Sequence, residues 1–240
     1  MKFDCLHEDV WMKNGKLDTD VRDSLLKIYD EILTDINEEF EELDSDFRLK
    51  PVKYIFTGSM TGPNYREDSD IDSHFVIDFS EYEDPILLNE YLKLYARNFN
   101  LKKYTIANHP VEIYFQDEKE KHYSPGIYDI KENEWIKVPD CIVIDITDEY
   151  REKAMEFLAR INELREQWDS DLVKDREKFL DKVIELFREI RAYRKKGLTS
   201  EKGIYSMENI VFKLLRKNKA LERLVNLIRE VRVKEYEVKP

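Results

Sequence analysis

The sequence predicts an α+β protein in which strands and helices mix over residues 1–146 and helices alone fill residues 147–240. Three observations predict it. Apolar residues recur at helical spacing near the start. The period then drops to two across several short runs. After Thr147 helical spacing returns and persists to the end.

Over residues 20–43 the apolar side chains are Leu25, Ile28, Tyr29, Ile32, Leu33, Ile36, Phe40 and Leu43, the stripe of one amphipathic helix. Asp18, Thr19 and Asp20 are candidate caps for it. Residues 1–16 show no clear period. Residues 52–57 read as a strand stopping at Gly58-Ser59, and residues 70–79 as a second strand. Residues 84–99 read as a helix with Leu87, Leu88, Tyr91, Leu92 and Tyr95 on one face. Short strands are expected at 103–107, 111–115, 126–130, 135–138 and 141–146. In the helical part, Met155, Leu158, Ile161, Leu164 and Trp168 mark a helix over 152–168. Phe179, Val183, Leu186, Phe187 and Ile190 mark another over 171–196. Gly197 and Gly203 break the chain. Residues 206–217, with Ser206 as cap, and 221–231 complete it. No repeat or low-complexity linker interrupts this order.

At 240 residues, 42% hydrophobic and 38% charged, the chain is long and apolar enough for a core beneath a highly charged surface. No run approaches the ~18 apolar residues of a membrane span, and the first residues lack a signal-peptide core. A cytoplasmic protein without a membrane partner is expected. Cys5 and Cys141 are too few for a disulfide framework or a cysteine zinc site and read as buried or incidental thiols. The net charge of −12 is uneven. Residues 186–240 hold 15 Lys and Arg against 7 Asp and Glu, a net of +8, and the remainder carries a net of −20. The acidic part disfavours a broad nucleic-acid footprint.

The informative segment runs from Phe56 to Phe79. A strand stops at Gly58-Ser59, a polar loop follows, and the next strand opens with Asp70-Ile71-Asp72. Alternation puts Asp70 and Asp72 on one face, with Ile71, Phe75, Ile77 and Phe79 on the other. Two close carboxylates repel unless a cation sits between them, and oxygen-rich sets suit Mg²⁺ or Mn²⁺. Gly58 permits a turn closed to other residues, its amide region can form an anion nest, and Ser59 adds a hydroxyl. Within 111–115, Val111, Ile113 and Phe115 leave Glu112 alone on the polar face, as a third ligand or a base for an acceptor hydroxyl. Asp68, Asp70 and Asp72 alternate like an EF-hand loop, but Ser73 stands where that loop needs Gly and Phe79 where it needs Glu.

This order of apolar strand, Gly-Ser, spacer, Asp-x-Asp and a later acid between apolar residues resembles the DNA polymerase β-like nucleotidyltransferase superfamily. Thr57-Gly-Ser, Ser69-Asp-Ile-Asp, the 111–117 segment, Ser124-Pro-Gly-Ile-Tyr and the segment from Tyr205 to Asn218 further resemble predicted nucleotidyltransferases of tailed bacteriophages. The resemblance implies a small mixed sheet flanked by helices. It also implies transfer of a nucleoside monophosphate from an NTP to a hydroxyl, with Asp70, Asp72 and Glu112 as metal-binding and catalytic residues.

Candidate nucleotide contacts are Gly58, Ser59, Arg66, Lys195 and Tyr205, with Lys53, Arg191, Arg194, Lys202 and Lys213 as further cations. His74 and Asp78 share the carboxylate face, whereas His7, His109 and His122 have no metal-ligand spacing. The acceptor (an RNA end, a protein or a small molecule), the base preferred and the oligomeric state stay open. So does the alternative of a catalytically silent binding or virion-associated phage protein on the same fold.

Overall fold

The computed structural model describes residues 3–42, 47–170 and 172–236, with the side chains of 234–236 left aside. Leu43 and Asp171, which the sequence assigns to helices, lie outside the described residues. The chain divides into two compact units, Met1–Val143 and Ile144–Pro240.

The first unit is built on a six-stranded mixed sheet. Its elements are α1 (Thr19–Glu42), β1 (Lys53–Thr57), β2 (Ile71–Ile77), α2 (Pro85–Leu101), β3 (Thr105–Ile106), β4 (His109–Asp117), β5 (Ile127–Asp129) and β6 (Glu134–Lys137). The strand order is β3-β4-β2-β1-β5-β6. Among the described residues only β2 and β4 pair in parallel; every other neighbouring pair is antiparallel. A parallel pair needs a crossover, which α2 supplies. Asp18 caps α1, its carboxylate accepting from the Asp20 amide at 3.0 Å. Asp84 caps α2 ahead of Pro85, whose missing N–H costs nothing in a first turn. Ala107 and Asn108 both take positive φ, the two-residue hairpin turn that joins β3 to β4.

Both helices cover one sheet face. Tyr29 of α1 stacks on Tyr54 and meets Phe75 edge-on, and Tyr95 of α2 meets Phe115. Leu25, Ile32, Ile36, Leu88, Leu92, Ile71, Ile77, Val111 and Ile113 fill the layer between. Asn100 fastens α2 to β4: its amide donates to the Ile113 carbonyl at 3.0 Å, and its oxygen accepts from the Ile113 N–H at 2.9 Å. It completes the β4 edge where β3 has ended. The N-terminal turns pack Trp11 between Phe56 and Trp135, with its indole N–H on the Met60 carbonyl at 2.8 Å.

The second unit contains α3 (Asp148–Asp169), α4 (Arg176–Leu198), α5 (Met207–Lys217) and α6 (Ala220–Tyr236). Its core is Phe157, Ile161, Trp168, Phe179, Val183, Leu186, Ile190, Val211, Leu215, Leu224 and Leu227. Ser206 caps α5 by accepting from the Asn209 amide at 3.3 Å. No described helix of either unit is long and apolar enough to cross a membrane.

Several elements differ from the sequence expectation. Leu87 is 66% exposed and Met155 65%; Ala96 and Phe99, and Ala154 and Phe157, carry those helix stripes instead. Residues 141–146 form no strand. Gly197 does not break the chain: it is buried within α4, where a Cβ would strike the Ser206 hydroxyl. Cys5 and Cys141 are joined in a disulfide, with Cα atoms 5.7 Å apart.

Asn100→Leu removes the partners of both Ile113 backbone groups, a loss of about 1–3 kcal/mol. Hydrogen exchange at the Ile113 amide is expected to accelerate at least tenfold. Unchanged exchange would show that Asn100 does not hold the strand.

Candidate active site

The sheet face away from α1 and α2 carries the three acids that the sequence singles out. Cross-strand partners share a face, and the register pairs Thr57 with Asp72, Asp72 with Glu112, and His74 with Tyr114. Asp72 and Glu112 therefore stand side by side on adjacent parallel strands. Asp70 lies just before β2. One carboxylate oxygen from each of Asp70, Asp72 and Glu112 lies within 4.8 Å of the others, and all three residues are half-buried.

Tyr114, two residues beyond Glu112 on the same face, donates its hydroxyl to Glu112 Oε2 at 2.5 Å. Its phenol is pushed well above its ordinary value. Loss of water comes first, then the bond to Glu112 and the charges of Glu112, Asp72 and Asp70. All three acids thus act on one hydroxyl.

Gly58 stands against Asp72. It has φ of 80°, and a Cβ there would collide with the Asp72 carboxylate. The turn is held from beneath. The Gly58 amide donates to Ser124 Oγ at 2.9 Å, and Thr61 Oγ1 donates to the Gly58 carbonyl at 2.8 Å. The Gly58 N–H is thereby engaged within the protein, not presented as a phosphate donor. The Ser59 hydroxyl donates to Ser69 Oγ at 3.1 Å, which in turn accepts from the Arg66 amide at 2.8 Å. Lys137 of β6 donates to the Ser124 carbonyl at 2.7 Å and so brings a cation to the residue that supports Gly58.

His74 sits beyond Asp72, between Gln116 Oε1 at 2.5 Å from Nδ1 and Thr57 Oγ1 at 3.4 Å from Nε2. His122 meets its ring edge-on. Burial, followed by the neighbouring His122, pushes His74 down to about 4. His122 is lowered too, by burial and then by Lys137. Both imidazoles are thus biased towards the neutral form.

The remaining candidates fall elsewhere. Arg66 is exposed in the loop and pairs with Asp68 at 2.7 Å. Lys53 pairs with Val76, at the end of β1 remote from Gly58. Asp78 caps a short turn through the Ser80 amide. Lys195 and Lys202 are exposed in the second unit, and Tyr205 is half-buried there with its hydroxyl inside. In that unit Arg194 lies 4.4 Å over the Phe212 ring. Burial, then Arg216 and Arg191, lowers Arg194; burial, then Arg194 and Arg216, lowers Lys213. The structure also brings together His7, Asp9 and His109, a grouping that the sequence spacing of the histidines does not display.

Sequence reasoning gave no role to Tyr114, Ser124, Thr61 or Lys137, although the first two lie in segments that carry the resemblance. Tyr114 had a signal, since strand alternation puts it on the Glu112 face. The other three belong to tertiary contacts that no local period displays.

No family model, curated protein or solved structure matches the chain.

Gly58→Ala forces an unfavourable φ and a clash, and a destabilisation of about 1–3 kcal/mol is expected from thermal unfolding. An unchanged unfolding temperature would show the turn to be tolerant. His74 gives a second test. The unfolded chain takes a proton near 6.5 and the folded chain only near 4. Stability from this group is therefore complete above about 6.5 and is lost as pH falls towards 4. In metal-free protein His74→Gln should flatten that decline; identical pH profiles would contradict it.

Proposed function

We propose that this chain is a metal-dependent nucleotidyltransferase that moves a nucleoside monophosphate from an NTP to an acceptor hydroxyl. The observation that carries the reading is the convergence of Asp70, Asp72 and Glu112 beside the Gly58 turn. Three hard oxygen donors drawn within 4.8 Å, half-buried, fit Mg²⁺ or Mn²⁺. Asp70, Asp72 and Glu112 would hold the ions, which when bound neutralise charge on the triphosphate.

The residues divide the remaining work. Glu112, fixed by Tyr114, takes the proton of the acceptor hydroxyl. The acceptor oxygen bonds to the α-phosphorus as the bond to the β-phosphate oxygen breaks, and pyrophosphate leaves. Ser59 and Lys137 border the turn beside which the phosphates lie. His74 and His122 stay uncharged at neutral pH and add no positive charge to compete with a cation. The strongly acidic first unit disfavours long duplex acceptors, so RNA ends, protein hydroxyls and small molecules are the classes to screen.

Mg²⁺-dependent release of pyrophosphate from a panel of NTPs, with host RNA, host protein or no acceptor, is the test. Asp70→Asn and Asp72→Asn are each expected to reduce the rate by about 10²-fold or more. Tyr114→Phe should cost about tenfold, with Glu112 still present. A chain that turns over and binds no NTP with any divalent metal would instead be a binding protein.

A further inference from the structure

The N-terminal turns bring a second ligand set together, joined to the acids through the Ser69–Asp70 peptide. His7, Asp9 and His109 each offer one ligand atom, and these atoms lie within 4.8 Å of one another. His109 opens β4 and is only 3% exposed. Its Nδ1 lies 2.9 Å from the Ser69 carbonyl oxygen. A carbonyl only accepts, so Nδ1 carries the proton and Nε2 keeps its lone pair. Metal-binding imidazoles are held in this way, with the second nitrogen donating to a backbone carbonyl or carboxylate. The His7 ring packs 4.8 Å from that of His109 and 4.6 Å from that of Tyr65. The His7 side chain is 13% exposed and that of Asp9 60%, so the set opens to water at the carboxylate. Its scaffold is fixed: the Val10 and Trp11 amides donate to the His7 carbonyl, and the Trp11 indole is tied to Met60.

We propose that His7, Asp9 and His109 bind one divalent transition-metal ion, Zn²⁺ by preference, at a site separate from the three acids. Two imidazoles and a carboxylate form a donor set that favours Zn²⁺ over Mg²⁺, and three protein ligands leave a position for water. Tetrahedral Zn²⁺ with bonds of about 2.0–2.2 Å spaces its ligands about 3.4 Å apart, so the set closes by about 1 Å on binding. The Asp9 carboxylate, 4.0 Å from His7 Nδ1 and exposed, supplies most of that movement. The 3.2 Å hydrogen bond from the Asp9 amide to His7 Nδ1 is exchanged for the metal bond. Occupancy ties the N-terminal turns to β4 and, through Ser69, fixes the backbone that leads into Asp70.

Calorimetric Zn²⁺ titration of the full chain carrying Asp70→Asn, Asp72→Asn and Glu112→Gln tests this apart from the acid cluster. Reductant is omitted so that Cys5 and Cys141 stay paired. One Zn²⁺ per chain is expected, bound at least tenfold more weakly after Asp9→Ala and likewise after His7→Ala. Co²⁺ in its place should give the visible absorption bands of a four-coordinate site. Failure of the acid-substituted chain to bind Zn²⁺, or binding left unchanged by either substitution, overturns the proposal.

Discussion

The parallel pairing of β2 with β4 sets Glu112 beside Asp72, and the arrangement of the carboxylate face depends on it. Strand alternation alone fixes which face each residue takes. Register fixes which carboxylates meet, and a slip of one residue would turn Glu112 into the helical layer. That register is guarded on the far side of the sheet. Val111, Ile113 and Phe115 are buried under α2, and Asn100 bonds both backbone groups of Ile113. The apolar core thereby stabilises an arrangement of like charges that would otherwise separate.

The Gly58 turn completes the face under the same economy of space. Asp72 comes so close to the backbone that no side chain fits at position 58. Ser124 and Thr61, on the segments that lead into β5 and out of the turn, occupy its amide and carbonyl. Its rigidity therefore comes from hydrogen bonds to the buried Ser124 and Thr61 side chains, the first of which takes up its amide.

Local rules carried the sequence reading far. The Asp70, Asp72 and Glu112 face, the α1 stripe and the Ser206 cap follow from periods of two and 3.6 and from cap chemistry. Two stripe positions were misassigned: Leu87 and Met155 fit a broad apolar stripe by spacing but face solvent. Relations across the chain were not legible. The Cys5–Cys141 disulfide closes a separation of 136 residues. His7 and His109 meet only because the N-terminal turns pack at the start of β4, and Ser124 reaches Gly58 only through the pairing of β1 with β5.

Two donor sets of different hardness, three carboxylates and a histidine–aspartate–histidine group, thus flank one peptide bond. The central claim is that the first of them is a cation site formed by strand register. Anomalous diffraction from crystals soaked in Mn²⁺ measures this most directly. The account predicts a manganese peak at bonding distance from carboxylate oxygens of Asp70, Asp72 and Glu112. A peak elsewhere only, or Glu112 turned away from Asp72 in the density, would contradict it.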